Sequence, residues 1–421
     1  MATIYAASWL VQSTAMPPLA GGAILVRDGI IAACGRADEL KKTYQATVIE
    51  YPGFTIMPGF VNAHTHLELT HFPAWRLRSG MQYNPRRFVD WLLQMIKIKR
   101  GVKDEEIPSS VREGIRMCLE SGTTAVGEIV TNPASAASHR SSPLAGRLFF
   151  ELLGHDPRRF GSMLDSALTA CRASSASRLT PGLSPHAPYT IGEQHLATIR
   201  SAAADNSLPL AIHISESAAE TDFIFNTSGP LAEEFYPFVG WQQHLPAPHR
   251  CSPTALLDRS GLLTTGTLAV HCVHLTLADA EILKSRGVTV ALCPRSNEML
   301  DVGRAPVTLL RKLGIPLALG TDSLASNNSL SMWDEMRFAL DTFRKELSPA
   351  DLFTMATATG ARALGIALTH GSLETGKQAD FQIVACPGRL TSGEKLLEGL
   401  LNEGNPDDVF VLGERFGANA P

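Results

Sequence analysis

Seven cysteines are scattered along the 421-residue chain, and no two of them form a Cys-x-x-Cys pair. They are Cys34, Cys118, Cys171, Cys251, Cys272, Cys293 and Cys386, an odd number without framework spacing. Such a pattern argues against a disulfide scaffold and points to reduced, mostly buried thiols of a cytoplasmic protein. No apolar run approaches the ~20 residues of a membrane span. The first basic residue is Arg27, so the apolar opening Met1–Leu10 reads as a strand and not as a signal peptide. Long charged runs are missing as well. Lys97-Ile98-Lys99-Arg100 is a short basic helix end, whose plain reading is a solvated face. A net charge of −4 leaves no basic footprint, so neither nucleic acid nor membrane is an expected partner. Internal repeats and low-complexity segments are absent.

What is present fits a globular enzyme. Hydrophobic residues make up 44% of the chain and charged residues 19%. The length exceeds one ordinary core but suits a barrel of ~250 residues with an accessory domain. Both ends are strand-rich. Ala23–Ala33 is two apolar runs joined at Asp28-Gly29, a hairpin signal because both turn positions tolerate φ > 0. Between the ends, strand and helix patterns alternate, as a parallel βα architecture requires. Eight strands are expected: one fed by Phe54–Phe60, then Thr123–Glu128, Arg147–Leu153, Leu179–Pro185, Pro209–His213, Thr267–His271, Val288–Cys293 and Pro316–Asp322. Helices are expected at Phe88–Ile96 and Ser109–Ser121. Residues 217–262 are too long for a simple βα loop and read as a lid or an interface.

Polar residues end several of these strands. His64 and His66 stand two apart after Pro58-Gly59-Phe60, and residues i and i+2 of a strand share a face. His213, His271 and Asp322 each end an apolar strand, where a (β/α)₈ barrel puts its chemistry. Any one of these histidines alone reads as a satisfied core or surface residue. His64, His66, His213 and Asp322 together make a mixed nitrogen and oxygen shell that suits Zn²⁺ or Fe²⁺ better than Ca²⁺ or Mg²⁺. Such a site leaves a position for water, whose pKa the metal lowers to near ~7.

This ordered set resembles the amidohydrolase superfamily, in its deaminase and chlorohydrolase branch. The motifs are PGFVNAHTHLE after the first barrel strand, HISE at 213–216, HCVH at 271–274 and GTDS at 320–323. The Gly371–Asp380 pattern resembles the returning β segment of that superfamily. The resemblance implies an α/β fold: a (β/α)₈ TIM-like barrel over 58–365, and a small β-sandwich built from 1–57 and 366–421. It implies a single divalent metal ion, Zn²⁺ or Fe²⁺, since no lysine ends strand three or four to bridge a second. Glu151, on strand three, then reads as a buried carboxylate hydrogen-bonded to backbone, with a bridge to a second ion as the alternative.

Roles follow from the same resemblance. Glu216 is the proton shuttle, with an exposed loop glutamate as the plainer alternative. Asp322 is a ligand that also accepts a proton. His271 orients the attacking water, and His274 is structural. His186, in Ser184-Pro185-His186-Ala187-Pro188, touches substrate from a loop stiffened by two prolines. Trp91 lines the pocket or belongs to the core. Arg295 binds an anionic group of the substrate or pairs with a loop carboxylate. The implied reaction is hydrolytic deamination of a purine-type nucleoside with release of ammonia. VGEIVTN at 126–132 resembles aminodeoxyfutalosine deaminases of the alternative menaquinone pathway more than the methylthioadenosine/S-adenosylhomocysteine type. Triazine chlorohydrolase or aminohydrolase activity, guanine or cytosine deamination, and an inactive metal-binding scaffold are the alternatives. The partner is a small-molecule substrate, and homo-oligomerisation is left open.

Overall fold

The computed structural model describes residues 2–174, 177–388 and 395–417. The expected C-terminal boundary at 421 and the stretch 389–394 lie outside the described residues.

Eight parallel strands neighbour one another in chain order. They are β1 (Phe60–Thr65), β2 (Thr123–Val130), β3 (Ala145–Leu152), β4 (Leu179–Pro185), β5 (Leu210–Ile214), β6 (Thr267–His271), β7 (Thr289–Leu292) and β8 (Leu317–Leu319). All eight residues of β2 are buried, as expected of strands covered on both faces. Small residues such as Ala63, Ala125, Ala211 and Ala291 fill the barrel interior around Phe149 and Val270. The larger outward side chains pack beneath the surrounding helices.

The barrel closes between β8 and β1 at the end that carries the polar residues. Thr65 bridges Asp322 in parallel register, and the Asp322 N–H donates to the His64 carbonyl at 3.1 Å. Asn62 clips the same seam. Its amide donates to Thr321 Oγ1 at 2.6 Å, and its oxygen accepts the Thr321 N–H at 3.0 Å. A Cβ on Gly320 would stand 2.8 Å from the His64 carbonyl oxygen, so this close approach requires glycine.

The run Phe54–Pro58, expected to feed the barrel, instead ends a long strand of the accessory domain, Thr47–Pro58. Pro58 has no N–H to donate, and Gly59 sits where a side chain would overlap Thr124, so the chain changes sheets there. Strand Thr47–Pro58 pairs in parallel with Ala2–Leu10 and antiparallel with Phe381–Ala385, which joins the two chain ends in one eight-stranded mixed sheet. Its two faces hold separate apolar clusters, one including Ile4 and Ala6, the other Tyr5 and Ala7. The hairpin at Asp28-Gly29 forms with φ of 51° and 77°.

Helix α1 (Phe88–Arg100) crosses the polar end of the barrel. Residues 217–262 pack against it. They contain helix α2 (Ala218–Asn226), a helical turn at Leu231–Phe238 and a helix at Pro253–Arg259. Phe223, Phe235 and Tyr236 share an apolar cluster with Phe88, Val89 and Leu92. The long connection is thus a packed wall. None of the helices among the described residues is long and apolar enough to cross a membrane. All seven cysteines are free thiols; Cys34 and Cys386 are half-buried and the rest buried.

Candidate active site

His64 lies on β1 and His66 one residue past its end, so both rings turn to the barrel axis. His213 comes from β5. The Nε2 atoms converge: His64 lies 3.2 Å from His66 and 3.3 Å from His213. The His213 ring is fixed from behind, because its Nδ1–H donates to the His186 carbonyl at 2.8 Å and so leaves Nε2 bare. Asp322 follows β8 and holds a φ of 56°; His271, at the end of β6, holds a φ of 69°. Both are non-glycine residues in the left-handed region, a strain that the surrounding hydrogen bonds sustain. Asp322 Oδ1 stands 3.7 Å from His64 Nε2 and 3.6 Å from His66 Nε2. Its other oxygen accepts the hydroxyls of Ser296 at 2.7 Å and Ser326 at 2.8 Å.

This donor set fits a divalent metal ion. Burial lowers the pKa of His64, His66 and His213, which keeps the rings neutral and their lone pairs free. Three bare nitrogens in one place repel unless a cation lies between them. Among the described residues, His64, His66 and His213 form the group whose ligand atoms could hold one ion. Burial pushes Asp322 up, but the adjacent His64 ring, and after it His66 and His271, more than offset this and hold it well below the usual carboxylate range. Asp322 therefore completes the set as an anion.

Glu216 behaves oppositely. Burial, and next the Asp322 charge, raise its carboxyl well above the ordinary range. Its Oε1 stands 3.6 Å from His271 Nε2. His271 Nδ1–H donates to Asn297 Oδ1 at 2.9 Å, so Nε2 is the atom presented to the cavity. The turn that carries Glu216 is locked by Glu220, whose two oxygens accept the N–H groups of Ser215 at 3.0 Å and Glu216 at 2.9 Å. Burial pushes Glu220 itself up to about 8.

These groups open on a cavity of about 490 Å³. His66, His213, His271, Asp322 and Glu216 form its floor, and α1 with Phe235, Val239 and Trp241 forms its walls. His186 lines it, with Nδ1 2.9 Å from Thr190 Oγ1. Trp91 lines it too, its indole N–H donating to the Ala325 carbonyl at 2.9 Å.

The amidohydrolase family pattern matches residues 55–416. The chain belongs to the amidohydrolase family. A 5-methylthioadenosine/S-adenosylhomocysteine deaminase from Desulforudis audaxviator is 31% identical, over 88% of this chain and 83% of that protein. An aminodeoxyfutalosine deaminase from Deinococcus radiodurans is 29% identical, over 82% and 81%. The crystal structure of an adenosine deaminase from Xanthomonas campestris with bound zinc superposes with a TM-score of 0.82 at 27% identity, covering 98% of this chain and 92% of that one.

Not every expected residue of this amidohydrolase reaches the cavity. Arg295 does not line it. Its side chain turns into a separate recess beside Asn84 and Arg86. There Nε donates to Asn327 Oδ1 at 3.1 Å, the guanidinium also meets Asn328, and Asp334 and Glu335 lie 3.9 and 4.0 Å away. The cause is the helix Pro294–Met299, in which each residue is turned about 100° from the last. Ser296 and Asn297 face the site, so Arg295 cannot. Glu151 lines the cavity 4.0 Å from His186 Nε2, and no backbone N–H among the described residues donates to it. His274 bonds the Val302 carbonyl at 2.8 Å. Sequence reasoning missed Ser296, Ser326, Asn297 and Glu220. It also missed Glu128, whose carboxylate accepts the Leu67 N–H at 3.0 Å and so fixes the chain just after His66. Only the Ser296-Asn297 pair offered a signal, since it lies in the first turn after the strand-seven end, past Cys293, Pro294 and Arg295.

Proposed function

We propose that this amidohydrolase removes the exocyclic amine of an adenosine-type nucleoside, with His64, His66, His213 and Asp322 holding one divalent ion of the zinc or iron(II) kind. That the chain is a hydrolytic deaminase follows from its family and from the deaminases it resembles in sequence and structure. The nucleoside assignment rests on relatives named for methylthioadenosine/S-adenosylhomocysteine, aminodeoxyfutalosine and 5′-deoxyadenosine.

The observation that carries the reading is the pairing of Glu216 with His271 at 3.6 Å above the histidine cluster. When bound, the ion lowers the pKa of a water so that it can attack at neutral pH. Glu216 takes the proton of that water. It returns it to the ring nitrogen beside the attacked carbon, and a second transfer lets ammonia leave. A carboxyl raised above its ordinary range does both at comparable cost. His271 Nε2 holds the oxygen in line, in the orientation that Asn297 sets. A purine lies between Trp91 and the apolar wall, with His186 against its edge. An amine leaving group needs this proton and a chloride does not, which favours deamination over dechlorination.

The test is ammonia release from protein loaded separately with zinc and iron(II). Substrates are 5′-methylthioadenosine, 5′-deoxyadenosine and aminodeoxyfutalosine, with guanine, cytosine and a chloro-triazine alongside. We expect turnover of adenosine derivatives. Turnover confined to guanine, cytosine or the triazine overturns the proposal.

A further inference from the structure

Helix α1 presents one continuous stripe to the cavity. Phe88, Trp91, Leu92, Met95, Ile96 and Lys99 all line it, at the i, i+3, i+4, i+7, i+8, i+11 spacing of a single helix face. Five of the six positions are apolar or aromatic, and the last is an ammonium. Lysine in a final helical turn is ordinarily explained by the helix dipole and a solvated head. Lys97 and Arg100 fit that account, for both are exposed and lie over the Phe238 ring, at 5.4 and 5.0 Å, although Arg100 also reaches the rim of the cavity. Lys99 does not. It is half-buried, it points along the apolar stripe into the cavity, and it has no ion-pair or hydrogen-bond partner among the described residues.

We infer that Lys99 is the recognition point for a carboxylate carried by the substrate at the end remote from the reacting amine. The inference rests on the nucleoside deaminase reading and deepens it: the substrate class is an adenosine whose 5′ substituent ends in an acid. Distance supports the placement. Trp91 is tied to Ala325, three residues past Asp322, and so marks the reacting end. Eight residues of helix carry the wall about 12 Å further to Lys99. A ring seated over the histidine cluster therefore brings its distal substituent, not its amine, to the ammonium. Met95, Ile96, Val239 and Trp241 make the surroundings apolar, which strengthens a charge pair formed there. Arg100 also lines the cavity, but its guanidinium lies over the Phe238 ring, so one unpaired ammonium remains and matches the single charge of a carboxylate better than the roughly two charges of a phosphate.

The experiment uses a matched pair: an adenosine 5′-thioether ending in a carboxylate, and the same compound as its uncharged carboxamide. Adenosine 5′-monophosphate is the third ligand. Binding is read by calorimetry on the metal-loaded enzyme, and turnover by ammonia release. The wild type should favour the acid over the amide by about tenfold or more, the scale of a hydrogen bond to a charged group. Lys99→Met should bring the pair to parity by weakening the acid far more than the amide, and Lys99→Arg should keep the preference. Equal binding of acid and amide by the wild type overturns the inference. So does an equal loss on both in Lys99→Met, which would make Lys99 a contact to the ribose. Tighter binding of the monophosphate than of the acid overturns the carboxylate assignment. Binding without ammonia release from either compound instead removes the deaminase reading, while an acid preference in that binding still supports the subsite.

Discussion

The cavity has a floor borne by strands and a wall borne by helices, and the two are held in different ways. On the floor, four of the working side chains have a second residue behind them: the His186 carbonyl behind His213, Asn297 behind His271, Ser296 and Ser326 behind Asp322, and Glu220 behind the turn of Glu216, whereas His64 Nδ1 is buried without a hydrogen-bond partner. On the wall, Phe88, Leu92 and Phe235 are held by packing alone, in an apolar cluster where Leu and Phe side chains fill space without directed bonds. Chemistry needs atoms placed within a few tenths of an ångström, and hydrogen bonds from rigid strands supply that. Selecting a substrate needs shape and one or two charges, and a helix laid across the barrel mouth supplies those. Damage to the floor should therefore act on turnover, and damage to the wall on substrate choice.

The largest effect should come from Asp322. Asp322→Ala removes the anion of the donor set, so turnover should be lost and metal content, measured by atomic spectroscopy after dialysis, should fall. An active, metal-replete variant would break the assignment of the floor.

Glu216→Gln comes next. The amide keeps the shape and loses the proton exchange. Turnover should fall by about 10²–10⁴-fold, the usual scale of a general acid–base group, with metal content intact and a ground-state analogue still bound. Near-normal turnover would move proton transfer to another group.

Ser296→Ala tests the layer behind the floor. Asp322 Oδ2 would keep Ser326 and lose one of two hydroxyl donors. We expect roughly a tenfold loss in kcat, the size of one hydrogen bond to a charged group, with KM little changed. Ser296→Thr should restore most of it. A loss confined to KM would mean that Ser296 touches substrate.

The same division explains what could be read from sequence. The floor was legible because β1, β5, β6 and β8 are each a short apolar run with a histidine or an aspartate near, at or just past its end. His64, His213, His271 and Asp322 are brought together as that pattern implies. The supporting layer was not legible, since Ser296, Ser326 and Asn297 become partners only through the rotation of a short helix and a loop. The wall was not legible for a related reason. Which face of Phe88–Arg100 turns inward is decided by residues 217–262, more than a hundred positions later. Lys99 accordingly read as solvated, and Arg295 read as a substrate contact or a partner of a loop carboxylate. The sheet change at Pro58-Gly59 was hidden because the apolar run continues across it.

The smallest effect is expected at Arg295, and its pH dependence makes it diagnostic. Glu335 is fully buried, and burial brings its carboxyl up to about 7 against an offset from the Arg295 backbone N–H and charge. A carboxyl raised in the folded state lends stability that is complete below its unfolded value and is lost as pH rises through the folded value. In Arg295→Met the backbone N–H bond to Glu335 Oε1, at 3.0 Å, survives, but the neighbouring charge is gone. The Glu335 carboxyl should then rise further. Below about pH 5 it is protonated in both proteins, and the variant should melt close to the wild type. Above pH 7 the wild type carries an ionised Glu335 beside its arginine, and the variant must either bury an unpaired charge or hold a proton against the solvent. The stability gap should therefore open as pH rises through about 7 and reach roughly 1 kcal/mol by pH 8, since each pH unit above the wild-type value is worth about 1.4 kcal/mol. The preference between acid and amide substrates should stay at its wild-type value throughout. A variant that melts like the wild type at pH 8 but loses its acid preference would return Arg295 to the cavity wall and take that role from Lys99.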